Sequence, residues 1–135
     1  PLDAYLPTSY IPDDDLRLNL YRRLAGVTTE GDIDDMRTEL QDRFGTIPEE
    51  TEHLFYMLQV KLAAQAADVR VIAIEEGQVV IRADSLEDLD RNLLQRRLGD
   101  RARVTRRAVW LPLDEEERWR ANLLAVLQAM IEGLQ

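Results

Sequence analysis

The stretch Glu39-Leu-Gln-Asp-Arg-Phe-Gly-Thr-Ile-Pro48 joins the end of one predicted helix to the start of the next. Gly45 is the residue type that most often supplies the left-handed position after a helix. The run Thr46-Ile-Pro-Glu49 fits a capping box with proline in the first turn. Glu39 and Asp42 are three residues apart, so their carboxylates lie on one helix face. The corner therefore offers two acceptors to an arginine-bearing partner.

Three amphipathic helices are predicted in the N-terminal half. Their apolar stripes are, in chain order, Leu16, Leu20 and Leu24; Ile33, Met36, Leu40 and Phe44; and Leu54, Leu58 and Leu62. Asp13 to Asp15 offer a cap to the first helix, which ends at Gly26, and Thr28 or Thr29 caps the second. Upstream, residues 7–12 are bracketed by prolines, which predicts an extended edge strand or strap.

The hydrophobic period changes from that of helices to that of strands at Val69. The segments VRVIAI (69–74) and VVIR (79–82), joined by the turn 75–78, predict a hairpin. A helix opened by Asp84 and Ser85 is predicted next, with Leu86, Leu89 and Leu93 inward and Gly99 at its end. One or two strands are predicted within residues 103–113. A second capping box, at residues 114–117, predicts the start of a C-terminal helix. The predicted fold class is α+β, with an N-terminal three-helix segment followed by a small antiparallel sheet with covering helices.

Composition restricts the possible functions. A chain of 135 residues that is 45% hydrophobic can close one core, so we expect a single domain over 1–135, with room for two subclusters. There is no cysteine and only one histidine, which excludes a disulfide framework and a thiolate metal site. We expect no cofactor. No apolar run approaches the length that crosses a bilayer, and a cytoplasmic location is the expectation.

Charge is concentrated at one end of the chain. Residues 1–60 hold thirteen Asp or Glu against five Arg, a balance of −8 out of the total of −9. Such a surface repels phosphate backbones and favours basic protein partners, although an acidic face can also serve solubility alone. Because the sequence begins at Pro1, we expect it to be a piece of a longer polypeptide.

Motifs of catalysis are missing from the sequence. It contains no glycine-rich phosphate loop, nucleophile elbow, HExxH or EF-hand spacing. His53 is interpreted as a surface histidine near several glutamates, because a lone base without a nucleophile or metal does not make a site. The acidic run Asp13 to Asp15 is better explained by helix capping than by metal binding. We therefore do not expect this domain to be an enzyme.

An arginine cluster in the second half supports an alternative function. Its members are Arg91, Arg96, Arg97, Arg101, Arg103, Arg106 and Arg107. Arginine forks bind phosphate and the nearby Trp110 could stack a base, so a nucleic-acid-binding accessory domain using Arg96 to Arg107 is the alternative. The interleaved acids Asp88, Asp90 and Asp100 favour a solvated or internally paired surface instead.

Glu39 and Asp42 also have an interpretation without function. Both can be exposed helix carboxylates, with Arg43 adjacent and Arg37 or Arg22 near enough to pair. Spacing by itself does not decide between this interpretation and a docking surface.

The order of motifs resembles a known family. YIPD at 10–13, RLNLYRRLA at 17–25 and ELQDRFGTIP at 39–48 are similar to the C-terminal domain of the bacterial transcription-repair coupling factors, the Mfd family. The later order of long helix, hairpin, helix, hairpin and helix is compatible with the same domain. The family often has a glycine closing the third helix where this chain has Asp68, which leaves the geometry of that turn open.

The resemblance implies a regulatory role in a multidomain, ATP-driven DNA translocase that engages stalled RNA polymerase. In the family, the last domain packs against a UvrB-like N-terminal module, covers the surface that binds UvrA and restrains the motor. Carried over by position, Glu39 and Asp42 are the acids expected to meet arginines of the UvrB-like module. The motor, the DNA track and the polymerase-binding module belong to other domains.

Overall fold

The computed structural model describes residues 3–114 and 117–135. These residues form five α-helices and four strands. In chain order they are α1 (Asp14–Ala25), α2 (Glu30–Phe44), α3 (Glu49–Ala66), β1 (Val71–Glu75), β2 (Gln78–Arg82), α4 (Arg91–Leu98), β3 (Arg103–Val104), β4 (Ala108–Pro112) and α5 (Trp119–Gly133), with short 3₁₀ helices at Asp84–Asp88 and Gly99–Arg101. The predicted α+β class is confirmed.

The chain divides into two compact units, residues 1–62 and 63–135. The first unit holds α1, α2 and most of α3, and the second holds the end of α3, the sheet, α4 and α5. That the whole chain behaves as a single domain stays a prediction.

The core of the first unit is built by the three helices and the segment before them. Its buried side chains are Leu6, Ile11, Leu20, Leu24, Ile33, Met36, Leu40, Ile47 and Phe55. The stripes of α1 and α2 are confirmed. The stripe of α3 is confirmed in part: Leu54, Leu58 and Leu62 pack against the core but are only partly buried, whereas Phe55 and Thr51 on the same helix are fully buried. Since α3 is apolar on several sides, spacing did not select the inward face.

The segment before α1 is a strap and not a strand. Residues 8–10 turn, and the amide of Ile11 donates to the carbonyl of Pro7 over 3.0 Å. The Thr51 hydroxyl donates to the Tyr5 carbonyl at 3.0 Å, and the Leu6 amide donates to the Tyr21 hydroxyl at 2.7 Å. Of the two predicted alternatives, an edge strand or a strap, the structure therefore shows the strap, which is fastened just upstream to side chains on α3 and α1.

The sheet in the second unit has the order β1-β2-β4-β3, and all its pairs are antiparallel. The hairpin is confirmed: Glu76 and Gly77 turn with φ of 52° and 72°, as a two-residue type I′ turn requires. Asp68 has φ of 56°, so an aspartate adopts the left-handed conformation for which the family often uses glycine.

Two predictions about the helices of the second unit are wrong. The segment from Asp84 is a 3₁₀ helix to Asp88, followed by a separate helix α4 that is capped by Asp90. This break turns Leu93 outward, half exposed, and Leu94 inward. The last helix begins at Trp119 and not at the predicted box, where the Asp114 carboxylate accepts from the Trp119 amide at 3.0 Å; Glu115 and Glu116 lie outside the described residues.

Candidate docking site

The start of α2 is set by a capping box. The Thr29 hydroxyl accepts from the Asp32 amide at 3.1 Å, and the Asp32 carboxylate accepts from the amides of Thr28 and Thr29, each at 3.2 Å. These bonds, the one from the Thr28 amide foremost, hold the pKa of Asp32 below its ordinary value. A carboxylate near a helix N-terminus is also favoured by the helix dipole. Because this cap fixes where α2 begins, it also fixes which face of the helix Glu39 and Asp42 occupy.

The end of α2 is set by Gly45 and Tyr10. Gly45 has φ of 87° and ψ of −158°, and its amide donates to the Gln41 carbonyl. The Tyr10 hydroxyl lies 2.9 Å from the Gly45 carbonyl oxygen and 3.1 Å from that of Leu40, so it donates to the open end of the helix. The strap and the helix end therefore hold the corner that follows Glu39 and Asp42 in place.

Glu39 is held in a fork of arginines. Its two carboxylate oxygens accept from the Arg23 guanidinium at 2.6 and 2.7 Å, and Arg43 lies 3.3 Å away on the same helix. Mainly because of the hydrogen bonds from Arg23, with a smaller contribution from Arg43, the pKa of Glu39 is lowered to about 2. The pair joins α1 to α2 at the surface, where the Glu39 side chain is 30% exposed.

We expect Glu39→Gln to reduce the acid sensitivity of the chain. A carboxylate with a folded pKa of about 2, below its ordinary 4.5, contributes stability above pH 4.5 that is lost as the pH falls towards 2. The variant should be less stable than the wild type at pH 7, by at most about 1 kcal/mol for an exposed pair. Urea unfolding at pH 7, 4.5 and 2.5 should show the two stabilities converge. A constant gap across these pH values would contradict this role, and Asp42→Asn is the matched control.

Asp42 has a different environment from Glu39. It is exposed on the same helix, and within the described part of the chain no arginine, lysine or histidine nitrogen lies within 4.0 Å of its carboxylate. The two predicted site residues are therefore brought together on α2, but only Asp42 is open to a new partner. Their docking role stays a prediction.

An open cleft lies beside Glu39, between the end of α1 and α2. It has a volume of about 390 Å³ and is lined by Arg23, Gly26, Val27, Asp32, Asp35, Met36 and Glu39. Its charged rim is mostly acidic and its lining includes the Met36 side chain, which is otherwise buried. The acidic surface of α2 thus extends from Asp42 past Glu39 to Asp35.

Of the arginines that the sequence offers to Glu39 and Asp42, Arg43 does contact Glu39, whereas Arg22 and Arg37 do not. The main partner of Glu39 is Arg23, which spacing did not indicate. Arg37 binds the Glu52 carboxylate, and its guanidinium lies 4.8 Å from the centre of the Phe55 ring. Partners on different helices follow from how the helices cross, and no spacing within one helix encodes them.

His53 is less exposed than a surface histidine. Its side chain is 13% exposed, and Nδ1 lies 2.8 Å from the Asp3 carbonyl oxygen. The ring therefore fastens the start of the chain to α3. Within residues 3–114 and 117–135, no group of three or more metal-ligating side chains is close enough to hold an ion.

Three arginines of the cluster in the second unit pair with carboxylates of the same unit. Arg97 binds the Glu132 carboxylate on α5. Arg106 and Arg107 both pair with Glu87, at 3.3 and 3.2 Å. These contacts match the internally paired interpretation of the cluster.

The guanidinium groups of two other arginines of the second unit, Arg82 and Arg103, lie next to the ring of Trp110 on β4. The Arg82 and Arg103 guanidinium carbons lie 5.6 and 5.8 Å from the ring centre. Since β2 and β3 flank β4 on opposite sides, the ring stands between the two cations. An aromatic ring engaged in this way is less available to stack a base, which weighs against nucleic-acid binding by the cluster.

None of the helices in the described parts of the chain is both long and apolar enough to pass through a membrane. The arrangement presents no assembled set of a nucleophile, a base and an oxyanion donor around the clefts that the described residues line. The described residues do offer a charged face on α2, where the cap at Thr29 fixes the positions of the acidic side chains.

Comparisons with known proteins agree on one family. The family model of the TRCF domain matches residues 1–94. A transcription-repair-coupling factor of Staphylococcus epidermidis is 28% identical over 141 aligned residues, which cover 98% of this chain and 12% of that protein. The same factor of Bacillus subtilis is 35% identical over 78 residues, covering 58% of the chain and 7% of that protein. The chain thus spans a small fraction of the length of these relatives.

A solved structure shows the same fold. The crystal structure of the C-terminal domain of a transcription-repair coupling factor superposes with a TM-score of 0.83 at 18% identity. The alignment covers 97% of this chain and 88% of the solved one. This chain therefore shares the fold of that solved structure.

Proposed function

Because the chain belongs to the TRCF domain family, we propose that it is the C-terminal regulatory domain of a transcription-repair coupling factor. In this proposal it docks through the acidic face of α2 onto the UvrB-like N-terminal module of the same parent protein. Docking masks the UvrA-binding surface and restrains the ATP-driven DNA translocase. The domain itself binds and does not catalyse, and the parent engages RNA polymerase and DNA through other domains.

The observation that carries this proposal is the difference between the two acids of α2. Asp42 is exposed, with no cation within ion-pair distance among the described residues, so it can accept an incoming arginine without breaking a bond. Glu39 is already oriented by Arg23, which reduces the entropy that a second arginine must overcome. The charge balance of −8 in residues 1–60 adds long-range attraction for a basic surface.

The energetics suit a latch that opens. An exposed ion pair contributes about 0–1 kcal/mol, and interfaces between domains of one chain are modest and polar. An arginine of the partner that approaches Glu39 competes with Arg23 and exchanges one pair for another. Binding of polymerase or DNA elsewhere then needs to exceed only a few kcal/mol of coupling to release the domain.

Charge reversal in the full-length parent tests this function. We expect Glu39→Arg with Asp42→Arg to raise UvrA binding and the ATPase rate without polymerase, because two attractions become repulsions. Asp42→Arg alone should act in the same direction and breaks no internal ion pair among the described residues. Measurements are UvrA pull-down or surface binding and steady-state ATP hydrolysis.

The matched control makes the same charge change at Glu30 and Asp34, two exposed acids in the first turns of α2. Glu30 lies about half a turn around the helix from Glu39, at 3.6 residues per turn. The control should leave UvrA binding and ATPase activity as in the wild type. Unchanged values in the Glu39 and Asp42 variant, or equal increases in the control, would remove the latch from these residues.

A further inference from the structure

A cleft of about 260 Å³ opens on the face of the sheet that carries Trp110. Arg103 on β3 lies directly opposite Trp110 on β4, so the two side chains share this face. Gln78 lies opposite Pro112, which is two residues further along β4 and therefore on the same face. The rest of the lining comes from α4 and the segment that joins it to β3, namely Gln95, Gly99, Asp100 and Ala102.

The wall of the cleft around Arg103 is held by the side chain of Gln95. The Val104 amide donates to Gln95 Oε1 at 2.7 Å, and Gln95 Nε2 donates to the Ala102 carbonyl at 2.8 Å. These bonds fix the backbone on both sides of Arg103. A site whose backbone is already ordered loses less entropy when it binds a partner.

The ring of Trp110 has an arginine on each side, but only one of the two has a carboxylate partner. Arg82 binds the Glu75 carboxylate at 2.7 Å. Arg103 is exposed, and its guanidinium forms no ion pair or hydrogen bond with a side chain of residues 3–114 or 117–135. A guanidinium that lies against a ring keeps its N–H edge free, and that edge fits a carboxylate through two parallel hydrogen bonds.

We propose that Arg103 binds a glutamate or aspartate side chain in an acidic segment of a protein partner. The incoming carboxylate repeats on one side of Trp110 the arrangement that Glu75 and Arg82 already form on the other. The cleft lies wholly in the second unit and takes a partner of opposite charge to the one proposed for α2. It therefore offers a second contact that does not depend on the acidic face of α2.

Asp100 favours a peptide over a phosphate as the occupant. Its carboxylate also lines the cleft and lies more than 4.0 Å, the limit for an ion pair, from the Arg103 guanidinium. A phosphate diester has only acceptors to offer to this second carboxylate. A peptide that carries a carboxylate for Arg103 also carries backbone N–H donors for Asp100. The cleft is therefore suited to an acidic peptide segment and not to a nucleic-acid backbone.

A nuclear magnetic resonance titration of this chain tests the proposal. The probes are two capped tripeptides, with either glutamate or glutamine between two leucines, and the side-chain N–H signals of Arg103 and Trp110 report binding. We expect saturable shifts and about five-fold tighter binding of the glutamate peptide, the effect of one exposed ion pair. No saturable shift from the glutamate peptide, or equal affinities of the two peptides, would overturn the proposal.

Substitution of Arg103 tests its role, with the Trp110 signal as the reporter. Arg103→Ala should remove the preference for glutamate, and Arg103→Lys should reduce it, because lysine keeps the charge without the planar fork. Arg96→Ala is the matched control, since Arg96 is an exposed arginine of α4 outside the lining of the cleft, and it should keep the preference. A preference that persists in Arg103→Ala, or is lost equally in Arg96→Ala, would contradict the assignment to Arg103.

Inorganic phosphate distinguishes the two kinds of occupant. At the concentration that half-saturates the chain with the glutamate peptide, phosphate should shift the Arg103 and Trp110 signals less than the peptide does. Larger shifts, or displacement of the peptide by an equal concentration of phosphate, would replace the protein partner with a phosphate ligand and overturn the proposal.

Discussion

Phe55→Ala is expected to lower the free energy of unfolding by about 3–5 kcal/mol, the usual cost of removing a buried aromatic ring. Phe55 is fully buried and is among the largest fully buried side chains of the chain. Its ring also contacts the Arg37 guanidinium, which binds Glu52. Removing the ring therefore leaves a cavity. It also removes the contact that helps to position Arg37 for its ion pair with Glu52, which joins α2 to α3.

Urea unfolding followed by circular dichroism at 222 nm measures this effect. Met57→Ala is the control, because Met57 is on the same helix and 51% exposed, and it should change stability by less than about 0.5 kcal/mol. A loss below 1 kcal/mol for Phe55→Ala would contradict its place in the core.

The same variant tests whether the chain is one cooperative domain. Both tryptophans, Trp110 and Trp119, lie in residues 63–135, so their fluorescence reports the second unit. If the predicted single domain holds, Phe55→Ala in the first unit shifts the fluorescence midpoint as much as the dichroism midpoint. A fluorescence midpoint that does not move would show two units that unfold separately.

Gly45→Ala is expected to cost about 1–3 kcal/mol, because φ of 87° with ψ of −158° lies in a region that essentially only glycine occupies. Apart from the two neighbouring residues in the chain, no heavy atom of the described residues lies within 4 Å of an added Cβ, so the cost is conformational and not steric. The substitution should unwind the end of α2, where Tyr10 and Asp42 lie. Thermal unfolding gives the magnitude.

Gly26→Ala is the matched control for Gly45→Ala. Gly26 also follows a helix, but its φ of −89° is open to any residue, and an added Cβ would make ordinary contacts of 3.6 and 3.7 Å. It should change stability by less than about 1 kcal/mol. Equal losses at the two glycines would contradict the conformational explanation.

Several features that depend on neighbours in sequence were predicted correctly. The caps at Asp13 and Thr29, the end of α2 at Gly45 and the two-residue turn at 76–77 all form as expected, although Gly45 has positive φ with ψ of −158° and not the left-handed helical conformation. Each rests on hydrogen bonds or backbone angles within a few residues, so the local residue types contain the information. The order of these features was also enough to indicate the family.

Features that depend on crossing elements were not predicted. Three findings became visible only once the helices were packed: Phe55 is buried, Leu94 and not Leu93 faces inward, and Glu39 pairs with Arg23. In each case several residues had the right chemistry and spacing. Only the direction from which another element approached distinguished them.

The stretch from Glu39 to Pro48 shows both contributions. The sequence by itself determined that a helix ends at Gly45, that another starts close to the proline, and that two carboxylates share one face, because all three depend on local geometry. The predicted box at Thr46 placed the proline in the first turn, whereas α3 begins after it, at Glu49. Only the tertiary structure decided that Glu39 is held by Arg23 while Asp42 stays open, because an ion pair between two helices depends on how they pack.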